Sequence, residues 1–254
     1  MSPAFELAPG IWITEVATPD YDVRGALILG TRRAAVWDTL SHPRDMSAYL
    51  PLIGGRDLVI VYSHADWDHI WGTAGLPHDS AVVVAHELTG ERFGDDVPLT
   101  LAEKRATAPG AWDAVRLIPP TRLFARDLSI DLGGLSLSLR HLPGHTPDSI
   151  VGLVPERGVL LAGDAVETPC PVVPRDCPLD AWLEELRRWE RDDRVRTVVP
   201  AHGAVGGRDV IAQTGAYLEA LRRGSPVHPL EPLTPFYREA HANNIAHTRP
   251  VTSG

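Results

Sequence analysis

The chain has few cysteines, no concentrated basic segment and no long apolar run, and each shortage removes a class of protein. Cys170 and Cys177 are its only cysteines, both within "ETPCPVVPRDCP". Without a second pair they make no thiolate zinc site. A disulfide between them is one option, but reduced thiols are the expectation for a cytosolic protein. No apolar stretch approaches bilayer length, and "MSPAFELAPG" lacks the basic and apolar regions of a signal peptide, so a cytoplasmic protein with no membrane partner is expected. Twenty-four Lys plus Arg are scattered among thirty-three Asp plus Glu, for a formal charge of −9. No phosphate-backbone footprint is present, and nucleic acid is not an expected partner. What remains is ordinary globular composition, 44% hydrophobic and 22% charged over 254 residues, enough for one large domain with a substantial core.

Strand-like alternation opens the chain in "FELAPGIWITEVA" (5–17), "VRGALILG" (23–30) and "AAVWDTL" (34–40), a meander with short turns. The spacing of Met46, Tyr49, Leu50 and Ile53 predicts a helix within 42–55, ending in Gly-Gly. An apolar strand, "DLVIVY" (57–62), follows, then a shorter one, "AVVVAH" (81–86), with a helix after it. Residues 90–122 carry scattered Pro and Gly and read as a cover over the strand ends. Strands resume from 127, and "IVGLVPE" and "GVLLAGD" flank a tight turn as a hairpin. Leu179, Trp182, Leu183, Leu186 and Trp189 mark a helix within 177–193, with acids near its start and arginines near its end. The strand "VRTVVPAH" (195–202) and a helix over 206–224, closed by Gly224, complete a domain of residues 1–224. Residues 225–254, rich in Pro, His and Asn, read as an irregular extension. This order suggests an α/β protein with sheets covered by helices on their outer faces.

Candidate metal ligands recur at one topological place, the C-terminal end of an apolar strand. "SHADWDHIWG" (63–72) sets His64, Asp66, Asp68 and His69 after one strand. His145 follows "LSLSLRHLPG", Asp164 follows "GVLLAG", and His202 follows "RTVVPA". At a strand-to-loop corner, side chains at i and i+2 can converge on one point, and imidazole nitrogen with carboxylate oxygen suits zinc, iron or manganese. The 64–69 cluster alone favours metal over a polar turn, whereas His145 alone reads as a turn residue and Asp164 and His202 alone admit turn or capping roles; their occurrence together, in order, is what a set of turns leaves unexplained.

Taken together, these motifs resemble the metallo-β-lactamase superfamily, which includes glyoxalase II-like thioesterases, lactonases and related hydrolases. The pattern His-x-His-x-Asp-His is met by "HADWDH", the later His by "LPGHTPDSI", the bridging Asp by "LLAGD" and the last His by "VPAHG". The resemblance runs from 64 to 202 and, with "VWDTL", takes in most of the chain. It implies a four-layered αββα sandwich with a two-metal site at one edge. It also implies that His64, Asp66 and His145 hold one divalent ion, that Asp68, His69 and His202 hold the other, and that Asp164 bridges them. Asp66 departs from the pattern, which has histidine there. An added carboxylate shifts preference from zinc toward manganese or iron, and a two-His, one-carboxylate set also serves non-heme iron.

Around these residues, Asp38 in "VWDTL" is expected to orient a ligand histidine from behind. Trp67 and Trp71 read as packing beneath the metal loop, with substrate stacking as the alternative, His86 as structural, His141 as a supporting residue, His42 and His78 as surface loop residues, and His228, His241 and His247 as solvated, with facing the site as the alternative. The resulting expectation is a binuclear hydrolase acting on a small molecule, an ester, thioester, lactone or similar acyl compound. Zinc heads the cofactor list, with iron or manganese as options, and a metal-bound hydroxide is the nucleophile. Asp68 is the candidate for orienting the nucleophile or moving its proton. The alternatives are a diiron oxidoreductase that activates dioxygen at the same ligands and a scaffold protein with an impaired site. The oligomeric state is left open.

Overall fold

The computed structural model describes residues 3–18, 20–229 and 232–248. Among these residues, β1 (Phe5–Ala8), β2 (Ile11–Ala17), β3 (Asp22–Leu29), β4 (Arg33–Trp37), β5 (Asp57–Val61), β6 (Val82–His86) and β7 (Arg122–Phe124) form one sheet in sequence order. It is antiparallel as far as β4 and parallel from β4 onward. The second sheet is built from β8 (Asp127–Asp131), β9 (Ser136–His141), β10 (Ile150–Val154), β11 (Val159–Gly163) and β12 (Thr197–Pro200), in the order β12-β11-β10-β9-β8. The helices are α1 (Leu50–Ile53), α2 (Trp67–Ile70), α3 (Glu87–Arg92), α4 (Asp96–Thr107), α5 (Leu179–Glu190), α6 (Arg208–Arg222) and α7 (Pro235–Thr248).

Strand alternation distributes side chains among three apolar layers. Ala35, Trp37, Val59 and Val61 from the first sheet meet Leu137, Leu139, Leu161 and Val199 from the second, forming the core between the sheets. Gly152 on β10 is required there, because a Cβ would come within 2.7 Å of the Trp37 ring. Intervening residues face outward. Ala34, Val36, Leu58 and Ile60 pack under Met46, Tyr49, Ile70 and Trp71, while Leu160, Ala162 and Val198 pack under Trp182, Leu186, Ile211 and Leu218 of α5 and α6. The result is the expected αββα sandwich, with β10 and β11 buried along their whole length, as strands covered on both faces must be.

Two expectations are corrected. The helix expected within 42–55 is a 3-10 segment, Pro43–Ala48, followed by the single turn α1. Pro43 and Pro51 withhold backbone donors, and the Tyr49 hydroxyl instead donates to the Gly25 carbonyl at 2.7 Å, fastening this segment to the sheet. The stretch read as irregular contains α7. Its buried residues are Tyr237, Ala240 and Asn244, too few apolar positions to show as periodicity. Asn244 anchors it by donating to the Pro171 carbonyl at 2.7 Å and accepting from the Val173 N–H at 2.8 Å.

Candidate metal centre

Strand register brings the motifs together. Trp37 lies opposite Val61 in the parallel pair β4–β5, so Asp38 and the 63–69 segment emerge side by side. In the second sheet, Gly163 lies opposite Pro200, so Asp164 and His202 emerge together. The two sheets are laced at this edge. The Ile150 N–H donates to the Ser63 carbonyl at 2.8 Å and the Ala65 N–H to Asp148 at 2.9 Å. Buried Arg24 donates to the carbonyls of Pro200 and Gly203, both at 2.9 Å, and so fixes the loop that carries His202. Trp182 underlies the other two loops. Its indole N–H donates to the Ala165 carbonyl at 2.9 Å, and a Cβ on Gly144 would lie 2.4 Å from its ring.

All seven expected residues meet in one cluster. The potential ligand atoms of His64, Asp66 and His145 lie within 4.8 Å of one another, as do those of Asp68, His69 and His202, and those of His64, His69 and Asp164. Asp164 sits between the first two groups. Its Oδ2 is 3.5 Å from His145 Nε2 and 3.4 Å from His202 Nε2, and its Oδ1 is 3.3 Å from His69 Nε2. Donors about 2.1 Å from a tetrahedral zinc stand about 3.4 Å apart, so these separations suit a shared cation.

Each imidazole turns Nε2 inward because Nδ1 is engaged elsewhere. His69 Nδ1 is 2.9 Å from Asp38 Oδ2, His64 Nδ1 is 2.9 Å from Ser63 Oγ, His145 Nδ1 is 3.1 Å from the Val172 carbonyl, and His202 Nδ1 is 2.6 Å from the Asp22 carbonyl. Such contacts fix tautomer and ring orientation for metal binding. Asp38 does this from a left-handed backbone conformation, φ 55°, and its Oδ1 also accepts the Ser63 N–H at 2.7 Å. His64 Nε2, His69 Nε2 and Asp164 Oδ1 are buried and lack hydrogen-bond partners. A polar cluster left this way is costly unless an ion completes it, so the residues fit bound divalent metal.

The charges agree. Burial works to lower the His202 imidazole, but Asp164, Glu167 and Asp68 outweigh it and raise it to about 10. His145 is likewise lowered by burial and carried up to about 9 by Asp66, Asp164 and Glu167. Burial alone would raise Asp164, yet His202, His69 and His64 hold it well below the usual carboxylate range. In a metal-free site protons supply the positive charge, and cations would displace them.

Several neighbours were not legible in the sequence. Glu167 lies three positions after Asp164, accepts from the Tyr237 hydroxyl at 2.9 Å and the Val172 N–H at 3.1 Å, and is raised by burial to about 7. With Tyr21, Trp67, Val172 and Phe236, it walls a cavity of about 180 Å³ over Asp66, Asp68, His145, Asp164 and His202. No lysine or arginine is among the described residues lining it. Arg92 and Asp148, also unforeseen, contact the metal loop, Arg92 through Asp66 and Asp148 through the Ala65 N–H. Trp71 is buried, as expected, whereas Trp67 reaches the cavity wall. His86 is structural: Nε2 meets the Ala125 carbonyl at 2.8 Å and its ring stacks on His141 at 3.8 Å. His141 Nε2 lies 2.8 Å from the Pro147 carbonyl in the loop that carries His145. His241 and His247 are partly buried rather than solvated, lying 2.8 Å from the Tyr217 hydroxyl and 3.0 Å from the Val173 carbonyl.

A two-sheet sandwich with paired His and Asp groups at the strand ends defines a metal-binding α/β protein. Residues 25–202 match the metallo-beta-lactamase superfamily domain. The chain belongs to that superfamily. It is 29% identical over 160 residues to the chicken (Gallus gallus) protein "Acyl-coenzyme A thioesterase MBLAC2", covering 55% of this chain and 56% of that protein. The cow (Bos taurus) counterpart is 30% identical over 162 residues, covering 55% and 57%. The matched region thus spans little more than half of these relatives. Among solved structures, a metallo-beta-lactamase from Pontibacter korlensis aligns with TM-score 0.68 and 21% identity over 86% of this chain and 99% of that one. The sec-alkylsulfatase Pisa1 from Pseudomonas sp. gives 0.69 and 17% over 88% and 42%. At these identities the likeness is one of fold.

Proposed function

We propose that the chain is a binuclear hydrolase of small acyl compounds, with an acyl thioester as first candidate. In this reading His64, Asp66 and His145 hold one cation, Asp68, His69 and His202 the other, and Asp164 both. The observation that carries it is the convergence of four Nε2 atoms and three carboxylates in one cluster, with His64 Nε2, His69 Nε2 and Asp164 Oδ1 buried and unpartnered. The named activity of the two thioesterase relatives supports the choice of bond. The cavity supports a compact, uncharged acyl group, since its wall offers Trp67, Val172 and Phe236 and, among the described residues, no lysine or arginine.

Two divalent cations there would supply an acidic water and a Lewis-acid contact for the acyl oxygen. Asp68 would orient that water and receive its proton. Its oxygens stand 3.9 and 3.7 Å from His69 Nε2 and His202 Nε2, and it lines the cavity. Trp67 and Phe236 would shield the acyl group from bulk water. No described helix is long and apolar enough to cross a membrane, and we place the protein in the cytoplasm.

The two-His, one-carboxylate set around Asp66 favours one rival, a diiron enzyme that activates dioxygen. Hydrolysis of acyl-coenzyme A thioesters, aryl esters and lactones by zinc-loaded and manganese-loaded protein separates the two. Thioester turnover that is lost on chelation is expected. No hydrolysis, together with two irons per chain and an oxygen-dependent absorbance change, would replace the hydrolase reading with the rival.

A further inference from the structure

The residue that departs from the superfamily pattern, Asp66, differs from a histidine in two ways that matter to a cation. A neutral imidazole offers one lone pair in one direction, whereas a carboxylate offers two oxygens and a negative charge and can swing or chelate. In this chain one oxygen is already taken. Arg92 Nη2 donates to Asp66 Oδ1 at 2.7 Å, while Oδ2 faces His64 Nε2 at 3.5 Å and His145 Nε2 at 3.4 Å. We propose that Arg92 is a positioning residue that reduces Asp66 to a single-oxygen donor, so that the Asp66–Arg92 pair together does the work of the pattern's histidine.

The guanidinium is itself held. Arg92 ends α3, and its Nε lies 3.1 and 3.2 Å from the two Asp96 oxygens while Nη2 donates to Asp96 Oδ2 at 2.7 Å. Its Nη1 donates to Asp148 Oδ1 at 3.0 Å. Asp148 is fully buried, and its other oxygen accepts from the Ala65 N–H at 2.9 Å and the Thr89 hydroxyl at 2.8 Å. A planar fork fastened at two of its edges delivers its second Nη2–H along one line, which a lysine could not reproduce. The direction of Oδ2 is therefore set from α3 and α4, outside the loop that carries Asp66.

The proposal rests on the ligand assignment above, and its test reads metal binding rather than turnover. Metal-free protein is titrated with zinc in competition with a chromogenic chelator, and the binding step lost in His145→Ala is taken as the first ion. Arg92→Met is expected to weaken that step about 10-fold to 100-fold, the usual cost of removing an outer partner of a ligand, and to leave the other step unchanged. Arg92→Lys should restore part of the loss. Asp96→Asn, at a partly exposed anchor at the start of α4, should give a smaller loss in the same direction, so the proposal stays testable if Arg92→Met unfolds. With Asp66→His as background, Arg92→Met should change nothing. Equal weakening in both backgrounds would make Arg92 a general strut and overturn the proposal, and so would tighter binding in Arg92→Met, the signature of simple charge repulsion. No zinc uptake by the unsubstituted protein would overturn the ligand assignment and this proposal together. Intact binding steps without thioester turnover would count only against the proposed reaction.

Discussion

The two donor groups at the sheet edge use the same atoms and are held in opposite ways. His69, in the Asp68–His69–His202 group, rests on Asp38, and both side chains are wholly buried. Asp66, in the His64–Asp66–His145 group, is 30% exposed and leans on Arg92, which is 21% exposed. A buried carboxylate–imidazole contact is shielded from salt and competing water, whereas a partly exposed ion pair is screened. The contrast separates a wholly buried support from a partly exposed one, and the partly exposed one holds Asp66.

The sharpest way to break this contrast is to remove the residue common to both halves. Asp164→Asn should abolish paired binding and lower hydrolysis by at least about 10²-fold to 10³-fold, the cost of deleting one preorganised electrostatic contact. Retention of both ions and of full turnover would show that Asp164 bridges nothing. Asp38→Asn probes the buried support. An amide would place a donor opposite His69 Nδ1 and turn the ring to the tautomer that cannot ligate through Nε2, weakening the second ion by about 10-fold to 100-fold in the same chelator titration. A loss at the first ion instead would reverse the comparison.

Charge supplies a subtler test. His145 and His202 have folded-state values raised to about 9 and about 10, so they stabilise the metal-free fold fully below the ordinary histidine value. That contribution is lost as pH rises through about 9 and about 10. The thermal midpoint of chelator-treated protein should fall between pH 7 and pH 10 by more than that of metal-loaded protein, in which cations stand where protons did. Parallel pH profiles would contradict the exchange of protons for metal. Smallest of all, Asp66→His should raise the zinc affinity of the His64–Asp66–His145 group relative to manganese; weaker zinc binding would mean that Asp66 does not face the ion.

The reach of the sequence follows from where each signal sits. The convergence of the seven candidate donors was legible because each follows an apolar strand within a short motif, and parallel strands end at one edge. Asp38 was legible for the same reason. Arg92, Asp148 and Glu167 were not, because their roles depend on side chains meeting across long stretches of chain, as Arg92 meets Asp66 across 26 positions. The helix α7 escaped because polar anchors, Asn244 and the Tyr237–Glu167 bond, hold it in place of an apolar stripe. Prolines break the helix expected after β4: of its four marked positions Met46, Tyr49 and Ile53 face inward, whereas Leu50 is exposed.

The most direct measurement is equilibrium dialysis of chelator-treated protein against zinc and against manganese, with bound metal counted by mass spectrometry. Two ions per chain are expected, falling to one or fewer in Asp164→Asn. Uptake of no ion above the buffer control, or of two ions regardless of that substitution, would contradict a shared centre at the sheet edge.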